Sequence, residues 1–541
     1  MRKLGAVLTV VGLVAATATG LAACGSSSSG KEGGKLTVSF ASYPDSLDPQ
    51  FSYTLEGWSA MYNTYIPLLT YAHANGEEGS EIVPGLAESL PQITNGGTKY
   101  TLSLRKGLKY SDGTPVKASD FETALERTFR LNSGGSPYYT VIKGAEEFAK
   151  TKSGGISGIT TDDQSGEIVI ELTEPQGSFS DLLALLFAAP VPSDTPDKPV
   201  SDEPIPATGP YEIVSMQPGR AWSYARNPQW KKSNEALVEE VPSGHVDQIE
   251  ATVVSNQSTQ VNDVSQGRTN WMYDAVPADR VAEVKGKYEG TQYRVEPSVA
   301  VDFIWMNETQ PPFDDLKVRQ AVNYGVDTRQ IERIYAGEMS GTHQIIPPGV
   351  PGYEEFDLYP FDMAKAQKLL KEAEPADLDV TFWTESLNAE GGEYFESMLD
   401  EIGFNAELKV INSETYFTVV GNEKTPDLDL GFAGWAADFP HPNAFFEPLL
   451  SGASILPANG TNLSRTDVPR LTEKIEELAT QPLGPEQEEE YAALDREYME
   501  LAPLAPYGTP SGSLFVSSDI DFDSVIWNPI FTGDLTSFQF R

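Results

Sequence analysis

The stretch YTLSLRKGLKYSDGTPVKASDF, residues 100–121, contains a strand, a tight turn and a helix start. Residues 100–104 alternate apolar and polar side chains, the period of a half-buried strand. Asp112-Gly113-Thr114-Pro115 is a turn sequence, and Ser119-Asp120-Phe121-Glu122 has the pattern of a capping box ahead of FETALERTFR. The same two periods recur along the chain. Strands are expected over 36–40, 167–172, 211–214, 249–254 and 301–306. Asp362 is placed to cap MAKAQKLLKEAE, Asp315 to cap the helix holding Val318, Ala321 and Val322, and Thr466 or Asp467 to open a helix with Pro469 in its first turn. Residues 485–501 form a long acidic helix whose charges are expected on a solvated face. Mixed strand and helix order throughout predicts α/β lobes, and the Pro-rich run 190–210 predicts a domain boundary.

The 541 residues carry 38 Lys+Arg against 79 Asp+Glu, a net charge of −41. This acidity excludes a nucleic-acid binder and electrostatic docking on anionic lipid. The four histidines have no ligand spacing and there is one cysteine, so neither a metal site nor a disulfide framework is expected, and no cofactor. No Gly-x-Ser-x-Gly or P-loop is present, so neither catalysis nor nucleotide hydrolysis is expected.

Residues 1–23 read as a signal peptide: Arg2 and Lys3, then an apolar small-residue run. Leu21-Ala22-Ala23-Cys24 resembles the bacterial lipobox, which implies lipidation of Cys24. Residues 24–34 then form a Gly/Ser tether, and membrane attachment is expected through the lipid at Cys24. The apolar run 182–192 is too short to span a bilayer and is expected to be buried.

Several segments together resemble the bacterial extracellular solute-binding proteins of family 5, the oligopeptide- and dipeptide-binding group. They are Ser46-Leu47-Asp48-Pro49, PGLAES at 84–89, the 100–121 stretch, TGPY at 208–211, RNPQW at 226–230, FIWMNETQPPFDDLKVRQAVNYGVD at 303–327, AKAQKLLKEAE at 364–374 and GWAADFP at 434–440. The resemblance implies a hinge-closing, two-lobed periplasmic-binding-protein fold with an inserted subdomain. Lobe I is expected over 35–66, 205–293 and 507–541, the insert over 67–204 and lobe II over 294–506. It also implies a monomeric, non-enzymatic binding subunit that captures peptides for the permease of an ABC importer on the outer face of the bacterial membrane.

In peptide-binding members the aspartate of G-W-x-x-D pairs with the peptide α-ammonium, which here implies Asp438; by position alone Asp438 also reads as a turn-capping residue before Phe439-Pro440. The resemblance further implies that Gly434 and Ala436 offer backbone to the ligand, that Trp435 and Tyr416 wall side-chain pockets, and that Tyr53, Thr54 and Leu55 present backbone from the other lobe. His441 is expected at the rim. The arginine that takes the ligand carboxylate in dipeptide-type members has no counterpart in Asn388-Ala389-Glu390-Gly391-Gly392, so oligopeptides are expected over dipeptides. The alternatives are a non-peptide solute in the same fold, such as an oligosaccharide or a metal chelate, and, remotely, a secreted hydrolase.

Overall fold

A computed structural model describes residues 30–412, 415–458 and 460–541. The expectations for the signal peptide, Cys24 and most of the tether lie outside the described residues.

Twelve strands form one large mixed sheet. In chain order they share the numbering with a smaller sheet inserted after the first: β1 Lys35–Phe40, then β2 Gln92–Thr94, β3 Lys99–Ser103, β4 Ile159–Asp162 and β5 Glu167–Glu171 of the small sheet. The large sheet resumes with β6 Tyr211–Gln217, β7 Ala221–Arg226, β8 Gln248–Val253, β9 Trp271–Met272 and β10 Tyr293–Pro297. It continues with β11 Ala300–Met306, β12 Met339–Ser340, β13 Asp379–Glu385, β14 Asn405–Ile411, β15 Leu430–Ala436 and β16 Leu504–Val516. The order across it is β14-β13-β15-β11-β16-β9-β1-β8-β7-β6, with β10 and β12 also paired to β16.

β16 joins the two halves. Leu504 to Gly508 pair with β11, whereas Ser511 to Phe515 pair with β10 and Phe515 and Val516 with β9. The alternation seen in the sequence is borne out: Leu36, Val38 and Phe40 of β1 are buried, as are Ile168 and Ile170 of β5. The small sheet, in the order β2-β3-β5-β4, packs on α2 (Ala118–Arg130). The fold is therefore α/β and two-lobed. Residues 182–189 and Val191 are buried, and among the described residues no helix is long and apolar enough to cross a membrane.

Helix starts were mostly legible. Asp315 accepts from Lys317 N at the head of α3 (Leu316–Gly325), and Asp362 from Lys365 N at the head of α4 (Met363–Ala373). In both, a side-chain oxygen satisfies a first-turn N–H that has no intrahelical partner. Three details differ. α2 begins at Ala118, so Asp120 is its third residue and accepts from Lys117 N (2.9 Å), while the Ser119 hydroxyl donates to Asp163. The helix expected near Thr466 starts at Pro469, and Thr466 is instead buried, donating to Glu308 Oε1 (2.6 Å). The acidic helix over Pro485–Leu501 buries one acid. Asp495 is 1 % exposed and accepts from Ile345 N (3.1 Å) and Ile346 N (3.0 Å), which ties the Pro-rich 343–360 connector to the helix.

Candidate functional site

The chain just after β15 turns at Ala437, whose N–H donates to Val299 O (3.0 Å), and this turn holds Asp438 between three parts of the molecule. The Asp438 carboxylate accepts from the Tyr138 hydroxyl and from the Tyr53 hydroxyl (3.2 Å), and the two phenol oxygens lie 2.5 Å apart. Tyr138 belongs to the short helix Ser136–Tyr139 of the inserted region and meets Phe439 edge-on at 6.2 Å. Tyr53 stands before α1 (Leu55–Met61). Asp45 organises that turn, accepting from Tyr53 N (2.7 Å) and from the hydroxyls of Ser52 (2.6 Å) and Thr54 (2.9 Å). The Tyr53 ring stacks on Trp58 and meets Phe187 edge-on. A second bridge between the same regions runs from Gly177 N to Ala479 O (2.7 Å), at the end of the helix Pro469–Ala479.

Burial raises the Asp438 carboxyl above the ordinary carboxylate range, and the two phenol hydrogen bonds pull it back down. Burial and the neighbouring carboxylate raise both tyrosines. The carboxylate is thus held by neutral donors in a desolvated place, where a cation is bound more strongly than in water.

Gly434, Trp435 and Ala436 are the last residues of β15. Trp435 is half-buried and donates Nε1–H to Ala444 O (2.7 Å), which fixes the indole. Beside it is an apolar cavity of about 300 Å³ whose walls include Phe303, Phe417, Ala433, Gly434, Trp435 and Leu449. Tyr416 is not among its lining residues. It is fully buried, and its hydroxyl donates to Phe432 O (2.5 Å) and Trp383 O (3.1 Å). Phe417, 48 % exposed, reaches the cavity instead, because one residue along a helix turns the side chain by about 100°.

On the opposite side the geometry also refines the expectation. The Tyr53 N–H is taken by Asp45, so this residue reaches the site through its side chain. Thr54 caps α1, its hydroxyl oxygen accepting from Gly57 N (3.3 Å), and Leu55 is exposed. Tyr138 was not singled out from the sequence, because a one-turn helix has no apolar phase to mark it.

His441 is not at a rim. It is 1 % exposed, its Nδ1 accepts from Asn443 N (3.1 Å) and its ring meets Tyr491 edge-on. Burial holds the imidazole down at about 4. A depressed value means that the unfolded chain takes the proton first as pH falls. The contribution to stability is therefore complete above about 6.5 and is lost between there and about 4, a total of about 3 kcal/mol. Denaturant titration at neutral pH and near pH 4 is expected to show a larger loss for the wild type than for His441→Asn, which retains an acceptor for Asn443 N. Equal losses would remove this role.

A family profile described as "Bacterial extracellular solute-binding proteins, family 5 Middle" matches residues 81–456. The "Probable di/tripeptide-binding protein 5" of Pseudomonas aeruginosa is 26% identical over 420 residues, 73% of this chain and 75% of the relative. The "Heme-binding protein A" of Haemophilus influenzae is 27% identical over 433 residues, 77% of this chain and 76% of the relative. Among solved structures, "Clavulanic acid biosynthesis oligopeptide binding protein 2" superposes with a TM-score of 0.84 at 25% identity, covering 94% of this chain and 96% of that one. The profile spans most of the chain, the relatives are binding proteins and not enzymes, and the fold agrees: this protein belongs to the bacterial extracellular solute-binding proteins of family 5.

Proposed function

We propose that this chain is the lipid-anchored, extracytoplasmic binding subunit of an ABC importer, a monomer that captures oligopeptides between its lobes and hands them to the permease. The observation carrying this reading is Asp438. Its carboxylate is desolvated and held by the hydroxyls of Tyr53 and Tyr138, with no cation among its hydrogen-bond partners in the described residues. A peptide α-ammonium supplies the missing charge. Gly434 and Ala436 offer main-chain groups to an added strand, and the cavity beside Trp435 and Phe417 takes an apolar side chain. The lobe limits are proposed as drawn from the sequence, with β16 crossing between them. Cys24 is the proposed lipid attachment, which holds the protein at the membrane surface.

The relatives named for di- and tripeptides and for oligopeptides support a peptide cargo, and the absence of an arginine in residues 388–392 supports the longer class. Titration calorimetry with a length series tests it. Tri- to pentapeptides are expected to bind more tightly than dipeptides, and N-acetylation is expected to abolish most of the affinity. A strict preference for free dipeptides would overturn the length assignment; indifference to acetylation would overturn the role of Asp438.

A further inference from the structure

β13 and β15 run parallel but pair only at Phe382–Leu430 and Trp383–Gly431. Past that point β13 stays with β14 as far as Glu385, and β15 stays with β11 as far as Ala436. Among the described residues the side of β15 that faces β13 is therefore without a strand from Phe432 onward, and this is the edge on which the peptide is proposed to lie. Across the sheet from Gly434, on β11, stands Asp302. Its carboxylate occupies the space that a side chain at 434 would fill: a Cβ on Gly434 would lie 2.5 Å from Asp302 Oδ1. The glycine acts as a window through which this acid reaches the gap.

Asp302 is half-buried, and Glu385, at the end of β13 on the other side of the gap, is the charge that acts on it. Among the described residues no cation is one of the charges that act on it; burial and Glu385 together push its carboxyl up to about 7. The lining holds a second unmet demand. Asn388 is 9 % exposed, and its Oδ1 accepts from the Tyr335 hydroxyl, but its Nδ2 has no well-formed hydrogen bond. Tyr335 and the fully buried Tyr507 both lie within the influence of Asp302. Natural proteins seldom leave a desolvated carboxylate with no cation beside it and a poorly bonded amide N–H in one place unless something else completes them.

We propose that Asp302 and Glu385 form a subsite for a cationic side chain of the bound peptide, so that the protein prefers ligands with lysine or arginine beside the segment lying along β15. This rests on the peptide reading and narrows it. An ammonium or guanidinium between two carboxylates gains from both, in a setting where charge is poorly screened.

The probes are alanine tetrapeptides with one lysine at each position in turn, and the same set with norleucine, which has a similar chain without the charge. Calorimetry is expected to show lysine favoured over norleucine at one position by about tenfold or more. Asp302→Asn is expected to bring that ratio close to one, and Glu385→Gln to lower it. Glu385 is half-buried at a strand end, so its variant keeps the test open should Asp302→Asn fail to fold. Norleucine peptides that bind with no lysine preference at any position would overturn the subsite and leave the peptide reading standing. An unchanged ratio in folded Asp302→Asn, or in Glu385→Gln where that is the variant that folds, would also overturn it. If neither set binds, the peptide reading falls and takes the subsite with it.

Discussion

Asp438→Ala is expected to weaken binding of a free-amine peptide by two to three orders of magnitude. Truncating one partner of a desolvated, hydrogen-bonded charge pair costs about 3–5 kcal/mol, and each 1.4 kcal/mol is about tenfold in affinity. The ammonium would remain in the cleft with only the phenols of Tyr53 and Tyr138 near it. The fold is expected to survive, because those phenols still meet each other at 2.5 Å and Tyr138 still rests on Phe439. Asp438→Asn separates charge from shape. It keeps an acceptor for the tyrosines and loses the negative charge, so it is expected to bind nearly as poorly as the alanine variant. An N-acetylated peptide should be almost indifferent to both changes. If calorimetry shows wild-type affinity for Asp438→Asn, the ammonium assignment is wrong.

The second large effect concerns stability. Arg127 on α2 and Asp48 in the Ser46-Leu47-Asp48-Pro49 segment have side chains 0% exposed, and they pair through two parallel bonds of 2.6 Å. The guanidinium also donates to Pro196 O (2.9 Å), Lys198 O (2.9 Å) and Gln50 Oε1 (3.1 Å), while Asp48 accepts from Val200 N and Gln50 N (both 3.1 Å). The pair thus ties α2 to the Pro-rich 190–210 segment. Arg127→Ala leaves a carboxylate buried without a counter-charge and carbonyls without donors, and is expected to cost about 3–5 kcal/mol. The double variant Asp48→Ala/Arg127→Ala is expected to lose less than the two single losses combined, because it removes both charges. Denaturant unfolding followed by fluorescence, with limited proteolysis of the 190–210 segment, checks both. Additive losses would show that the two residues act independently.

These residues also show what the sequence could reveal. Alternation gave the strands, since a half-buried strand must put apolar side chains on one face, and Asp315 and Asp362 announced their helices because first-turn N–H groups need acceptors. The candidate role of Asp438 came only from the resemblance carried by the motif around it. Tyr138 and Phe417 were not, because each sits on a helix too short to show a period, and a shift of one residue decides whether a ring faces core or cavity. Buried polar groups were hidden for another reason. Arg127, His441 and Asp495 look like surface residues until their surroundings are known, and those include groups distant in sequence: Pro196 O for Arg127, the Tyr491 ring for His441 and Ile345 N for Asp495. Asp302 was hidden among many acids; only its register opposite Gly434 distinguishes it.

The continuous run of β16 through both halves of the sheet limits how the molecule can breathe. A shared strand keeps its ladder bonds while the halves swing, so opening is a bend near residues 508–510 and sliding apart is disfavoured. Such a spine leaves the halves one direction in which to part. Fewer relative motions then remain to be frozen out when cargo arrives, and more of each contact in the cleft is expressed as affinity.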